Sequence, residues 1–198
     1  MEASKTVTKI VESISEETFK SLDIIMSSLK AGSITDGDYI ELYQSTLRQQ
    51  MLRRELYTYV FESIARYRPV GRLLWYYTVL LDAAYDLYRI SRYSWEIARV
   101  VKIFGTVDVG RDVYESLSEA VKELKAFVNK LLRGETDTIN VDRLLELEKE
   151  SDERYLTALK AAAAKRVFSK EEVARLLILR HVERMLDHVE YLASRIAH

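Results

Sequence analysis

Two acidic pairs at a four-residue spacing are the clearest chemical signal in this 198-residue chain: Glu148 with Asp152, and Glu183 with Asp187. A separation of i to i+4 puts both carboxylates of a pair on one face of a helix, one turn apart. If the two helices run antiparallel in contact, four carboxylates converge, and such an oxygen-rich set suits a hard cation. The competing reading is a solvated helix face, because a chain with 31% charged residues produces such pairs by chance. Glu183 and Asp187 stand close to the edge of an apolar stripe formed by Leu176, Leu179, Val182, Leu186, Val189 and Ala193, where a seam between helices would run. His181 and His188 flank this pair, and their seven-residue separation puts them on a shared face. They are candidates for a supporting ligand or for orienting one, against the plainer reading of surface histidines. His198 ends the sequence.

Several chemistries are excluded by composition. There is no cysteine, which removes disulfides, thiolate nucleophiles and cysteine-ligated zinc or iron–sulfur centres. No histidine stands three residues after a glutamate, so the Glu-x-x-His element of the ferritin-like di-iron enzymes is absent and oxidase chemistry is not expected. A glycine-rich phosphate loop, a Gly-x-Ser-x-Gly elbow and a His-Glu-x-x-His helix are also missing. Thirty basic residues oppose 31 acidic ones, 14 against 13 in residues 1 to 105 and 16 against 18 thereafter. A nucleic-acid binder that works by phosphate neutralisation shows a basic excess, so no nucleic-acid partner is expected. The N-terminal Met-Glu-Ala-Ser-Lys carries no basic region followed by an apolar stretch. The longest apolar run, Leu73 to Leu81 with Thr78 inside it, falls well short of the roughly 18 residues a spanning helix needs. The reading is therefore a cytoplasmic protein that meets a membrane only through a partner.

The elements that must position the carboxylates follow from the punctuation. One proline and six glycines leave few places where a helix is forced to stop. Six helices are predicted, the first from Lys5 to Ala31 before Gly32. The second follows an N-cap at Thr35 with Asp38, carries Leu42, Leu52, Leu56, Val60 and Ile64, and stops at Arg68-Pro69. The third runs from just after Pro69 to Phe104. After a linker at 105–110 come Asp112 to Arg133, Asn140 to Arg166, and Ser169 to Ala197, the last opened by a capping box of Ser169 and Glu172. Three helices, a glycine-bounded connector and three more suggest a duplication. A shift of 95 residues pairs Leu81 with Leu176, Ala84 with Leu179, Leu87 with Val182, Arg89 with Arg184, Ile90 with Met185, Ile97 with Leu192 and Ala98 with Ala193. The fold expected is all-α, two tandem antiparallel three-helix bundles at 1–104 and 111–198, with one six-helix bundle as the alternative.

At the place in the first half that matches Glu183 and Asp187, the sequence has Tyr88 and Arg92, so the acidic pair is lost. Asp82 and Asp86 lie on another face. Arg89 follows Asp86 by three and Arg92 precedes Glu96 by four, which predicts intrahelical ion pairs. This half reads as structural or partner-facing. Tyrosine and tryptophan cluster at Trp75-Tyr76-Tyr77, Tyr85, Tyr88, Tyr93 and Trp95, as an interface patch or as core packing.

Val182-Glu183-Arg184-Met185-Leu186-Asp187-His188, followed by Leu192-Ala193, resembles the Glu-Arg-Ile-Gly-Asp-His helix of PhoU, the phosphate-uptake regulator, with Met185 and Leu186 in place of Ile-Gly. Leu87-Tyr88-Arg89-Ile90 is similar to the same element in the first repeat, and Tyr67-Arg68-Pro69-Val70 before Arg72-Leu73 to its Gln-Pro-x-x-x-Asp-Leu-Arg turn. Leu147-Glu148-Lys149-Glu150-Ser151-Asp152 resembles the Glu-x-x-x-Asp helix of related phosphate-transport accessory proteins. The resemblance spans residues 15 to 198 through short motifs. It implies two related three-helix bundles, iron or zinc held by Glu148, Asp152, Glu183 and Asp187, and a second cluster in the first repeat put in doubt by its lost motif. It further implies a non-catalytic, cytoplasmic regulator of a phosphate ABC transporter and its signalling kinase, which self-associates. Two rivals stand beside it: a metal-free helical adaptor of another transporter or channel, and a carboxylate-bundle metalloenzyme acting on phosphate esters.

Overall fold

The computed structural model describes residues 2–105, 107–135 and 141–195. Its regular structure among these residues is six α-helices: α1 Glu2–Ala31, α2 Asp36–Tyr67, α3 Arg72–Phe104, α4 Arg111–Leu132, α5 Asp142–Ala163 and α6 Lys170–Ser194. The first three, 30 to 33 residues each, are about 45 to 50 Å long.

Their ends have local causes. Gly32 takes a left-handed φ of 66°, and the amides of Gly32 and Ser33 close back on Leu29 and Ser28, satisfying carbonyls that the end of α1 would leave free. Thr35 caps α2 by accepting from the Asp38 amide at 3.1 Å. At the other end Arg68 is forced to φ 46° ahead of Pro69, which has no amide hydrogen with which to continue α2. Ser169 and Glu172 form the capping box, each reaching the other's backbone. Two expected boundaries differ by three residues: α1 begins at Glu2 rather than Lys5, and α5 ends at Ala163 rather than Arg166. The expected ends at Asn140 and Ala197 lie outside the described residues.

α1, α2 and α3 pack on one another, and α4, α5 and α6 do the same. The halves meet along α3 and α6, the most extensive helix pairing in the molecule, and more lightly along α1 and α4. Buried apolar side chains from all six helices form one contiguous cluster, joined by Val107 and Val109 of the connector. The 95-residue register is visible in burial. Leu87 and Val182, Ile90 and Met185, Ile97 and Leu192, and Ala98 and Ala193 are all buried, facing the seam region from α3 and α6.

α2 departs from ordinary amphipathic patterning. Beside Leu42, Leu56 and Val60, its buried face carries Ser45, Thr46, Gln49 and Ser63. Its exposed face carries Ile40, Tyr43, Leu47, Met51 and Phe61, with Met51 69% and Phe61 58% exposed. The inward polar groups are tied together. Gln49 donates to Ser91 on α3 at 2.7 Å, and its amide oxygen accepts from Thr18 on α1 at 3.1 Å. Ser91 donates to Ser21, Ser21 to Ser45, and Ser45 to Glu17, whose carboxylate also holds Arg48 in a fork of 2.9 and 2.8 Å. Arg48 reaches Glu41 as well. Hydrogen bonds from Lys20 and then Arg48 hold the Glu41 carboxyl below its ordinary value; at Glu17 burial pushes the carboxyl up, but hydrogen bonds from Arg48 and Ser45 outweigh it and hold it down. A buried network is tolerable when its members are satisfied, because each orphaned group costs about 1–3 kcal/mol.

Gln49 is the hub where three helices meet. Gln49→Ala should lower stability by about 2–3 kcal/mol, read as a fall of roughly 4–10 °C in the melting temperature. An unchanged melting temperature would contradict the role given to this layer.

Candidate functional site

The densest concentration of titratable groups in an apolar setting lies where α3 meets α6. Asp86 on α3 is 1% exposed, and its Oδ1 is 2.9 Å from Nδ1 of His188 on α6. An ionised carboxylate only accepts, so the imidazole donates from Nδ1. Among the described residues Asp86 Oδ2 has no hydrogen-bond partner; Arg195, which binds Asp82 at 2.9 Å, lies 3.8 Å from it. Three tyrosines enclose the imidazole: Tyr85 and Tyr191 edge-on at 5.9 and 5.6 Å, and Tyr93 nearly parallel at 5.9 Å.

Tyr93 also meets the His181 ring at 6.1 Å. At the 95-residue offset Asp86 corresponds to His181 and Tyr93 to His188. Exchanging α3 with α6 therefore turns the Asp86–His188 contact into the His181–Tyr93 contact. Burial holds the His181 imidazole below its ordinary value, with Glu96 opposing and Arg180 and Arg99 acting in the same direction as burial.

The predicted acidic residues are drawn together. Glu183 is buried on α6, while Asp187, Glu148 and Asp152 are half-buried. Burial pushes the Glu148 carboxyl above its ordinary value of 4.5, and repulsion from Asp187, Glu190, Asp152 and Glu183 pushes it further. Glu183 is raised by burial and by Asp187, against the opposing effect of Arg180 and Arg184. Those arginines occupy the second pair: Arg180 contacts both oxygens of Glu183 at 2.7 and 2.6 Å, and Arg184 binds Asp187 at 2.9 Å. Among the described residues no three Asp, Glu or His groups are arranged to hold a metal ion. In this arrangement Glu183 and Asp187 are engaged by arginine, while Glu148 stands half-buried under the repulsion of the neighbouring acids.

Two sequence expectations are corrected here. Arg92 does pair with Glu96 at 2.9 Å, but Arg89 does not pair with Asp86. It donates instead to the Tyr93 hydroxyl at 2.6 Å, leaving Asp86 to the opposite half of the chain. His188 is neither at the surface nor beside the acidic pair as a supporting group, since α6 turns it toward α3. The signal for this contact was the crossed correspondence of 86 with 181 and 93 with 188. It has meaning only once α3 and α6 are known to be neighbours. A separate groove of about 580 Å³ opens between α5, α6 and the start of α4, floored by Ala158 and Ala161 and rimmed by Arg154, Arg175 and Glu150. No protein-family model and no curated protein matches the chain.

Because Glu148 is raised in the folded state, that state holds its proton more tightly than the unfolded chain. Ionisation then costs stability, and the cost sets in as the pH rises above 4.5 through the raised value. Glu148→Gln should accordingly melt about 1–2 °C higher at pH 7, with the gain gone below about pH 4. A lower melting temperature at pH 7 would contradict the repulsive reading.

Proposed function

We propose that the chain is a non-catalytic, cytoplasmic, PhoU-like regulator of phosphate transport or phosphate-responsive signalling, built as a three-helix unit duplicated in tandem, with a phosphate ABC transporter or its kinase as partner. The observation that supports this best is the crossed pair of contacts at the α3–α6 seam. Asp86–His188 and His181–Tyr93 interchange at the same 95-residue offset that aligns the apolar stripes, as two related units docked about an approximate two-fold would produce. The motif resemblance supplies the function and runs through the same α6 segment. The outward apolar face of α2 supports a role exercised through a protein partner: Ile40, Leu47, Met51 and Phe61 recur near the 3.6-residue helical period and are exposed, beside Tyr43, which packs on Trp95 of α3.

Iron or zinc at Glu148, Asp152, Glu183 and Asp187 belongs to the proposal only where Arg180 and Arg184 release their carboxylates. The rival of a metal-free helical adaptor is favoured by that same arginine pairing. Elemental analysis separates them. The proposal expects iron or zinc to co-purify with the chain and to be lost in the Glu183→Ala, Asp187→Ala double variant at unchanged helicity. Equal metal content in both, or none in either, removes the metal site.

For the regulatory role, deleting the gene in its host should raise uptake of radiolabelled phosphate during phosphate-replete growth. Restoring the Leu47→Glu, Met51→Glu variant should fail to lower it again, although the exposed positions leave the melting temperature within about 2 °C. Uptake indifferent to deletion would contradict the proposed function.

A further inference from the structure

The 95-residue register extends from α3 and α6 to α1 and α4. Leu22, Ile25, Met26 and Leu29 are buried on α1, and Leu117, Ala120, Val121 and Leu124 are buried at the matching positions of α4. The two helices begin at different places on this scale. α4 starts at Arg111, which matches Glu16, whereas α1 starts at Glu2. Residues 2–15 of α1, about four turns, therefore have no helical counterpart, because the matching residues 97–104 end α3 and 105–110 lie between α3 and α4.

In the first half those turns cover α3. Thr18 donates to the Leu87 carbonyl and Ser91 to Ser21, so α1 and α3 run parallel with neighbours 69 to 70 positions apart. Carried toward the start of α1, this spacing sets Val7 level with Tyr77, Ile10 with Leu80 and Ile14 with Ala84, and all six are buried. On α6 the matching residues are Glu172, Arg175 and Leu179, and they line the groove of about 580 Å³ between α5, α6 and the start of α4. The groove is the slot that the first half fills with helix. On α5, Ala158 stands at the position of the buried Ser63, and a small residue at both places lets a helix come close. Phe168, 45% exposed, and the half-buried Leu176 are left without that cover.

Two of the matched positions have become charged, Tyr77 giving way to Glu172 and Leu80 to Arg175. Lys165 holds Glu172, and Arg154 holds Glu150. Arg175 has no ion pair among the described residues. Its guanidinium lies beside Gly110, where a Cβ would stand 3.3 Å from Nη2, just before α4 begins. Asp112, which also borders Gly110, faces Arg154 at 3.9 Å.

We propose that this groove docks an amphipathic helix of a partner protein, seated parallel to α6 as the first turns of α1 are seated on α3, with apolar residues at helical spacing and a carboxylate facing Arg175. A helix is the occupant whose shape the first half supplies, and a cation in place of Leu80 selects an acidic residue over an apolar one. The inference rests on the duplicated plan and not on the phosphate role, which the uptake assay tests separately.

The probe is a labelled peptide of residues 2–15 of this chain carrying Ile10→Glu, which puts a carboxylate level with Arg175, titrated with the full chain and followed by fluorescence anisotropy. Saturable binding is expected, abolished by Ala158→Arg and weakened about tenfold by Arg175→Glu. The Arg175→Glu chain should in turn prefer the peptide carrying Ile10→Lys. Met51→Glu, on the outward face of α2, should leave binding unchanged. Should Ala158→Arg fail to fold, Ala161→Arg, at an exposed position of the same floor, replaces it. No saturable binding overturns the proposal, as does binding that survives the arginine in the floor or is indifferent to the exchange of charges. Self-association of the chain that Ala158→Arg abolishes, seen by sedimentation, overturns the assignment to a partner and gives the groove to a second copy.

Discussion

The contact between Asp86 and His188 joins residues 102 positions apart inside an otherwise apolar seam. A carboxylate at 1% exposure is costly to bury unless hydrogen-bonded, and the chain meets that cost from the opposite half, through an imidazole on α6. Much of what joins α3 to α6 lies near this point, while α1 and α4 meet separately, with Lys125 bound to Asp23. Leu87 and Ile90 from α3, and Met185, Val189 and Leu192 from α6, exclude water. Tyr85, Tyr93 and Tyr191 fix the ring plane, and Arg195 brings a cation to 3.8 Å from the second oxygen of Asp86. A hydrophobic seam alone tolerates sliding by a turn, whereas a buried directional pair admits one register.

The helices were legible because their boundaries are local chemistry. Gly32, Pro69, Thr35 and the Ser169–Glu172 box each act within four residues, and the expected ends fall within a few positions of those observed wherever these signals stand. The last part of α5, with no breaker after Ala163, was overrun. The 95-residue register of α3 and α6 was legible too, since repeated apolar spacing survives where individual residues change. Side-chain partners were not legible. Arg89 three residues after Asp86 is a sound intrahelical pair by spacing, yet a buried aspartate takes the partner that arrives by tertiary packing. Spacing likewise identified Glu183 and Asp187 as a pair at a seam edge, and the Glu148 carboxyl is pushed up first by its burial and then by Asp187, Glu190, Asp152 and Glu183. The same three-residue spacing allows the pairs of Arg180 with Glu183 and Arg184 with Asp187 that the structure shows; which of the spacings that could pair actually do so is decided by packing.

α2 links the fold to the proposed role. Its inward Ser45 and Gln49 are satisfied by α1 and α3, and Thr46 by the Tyr43 carbonyl of α2 itself, while several of its apolar residues face outward. A helix patterned this way loses hydrophobic stabilisation within the monomer and gains a surface for contact.

The most direct measurement is a double-mutant cycle on the seam, comparing Asp86→Ala, His188→Ala and the pair in denaturant unfolding. The account predicts that each single change costs about 3 kcal/mol because it strands a buried polar partner. The double variant should then be more stable than additivity allows, by at least about 1 kcal/mol. Strictly additive losses would contradict the claim that this pair sets how the two halves of the chain dock.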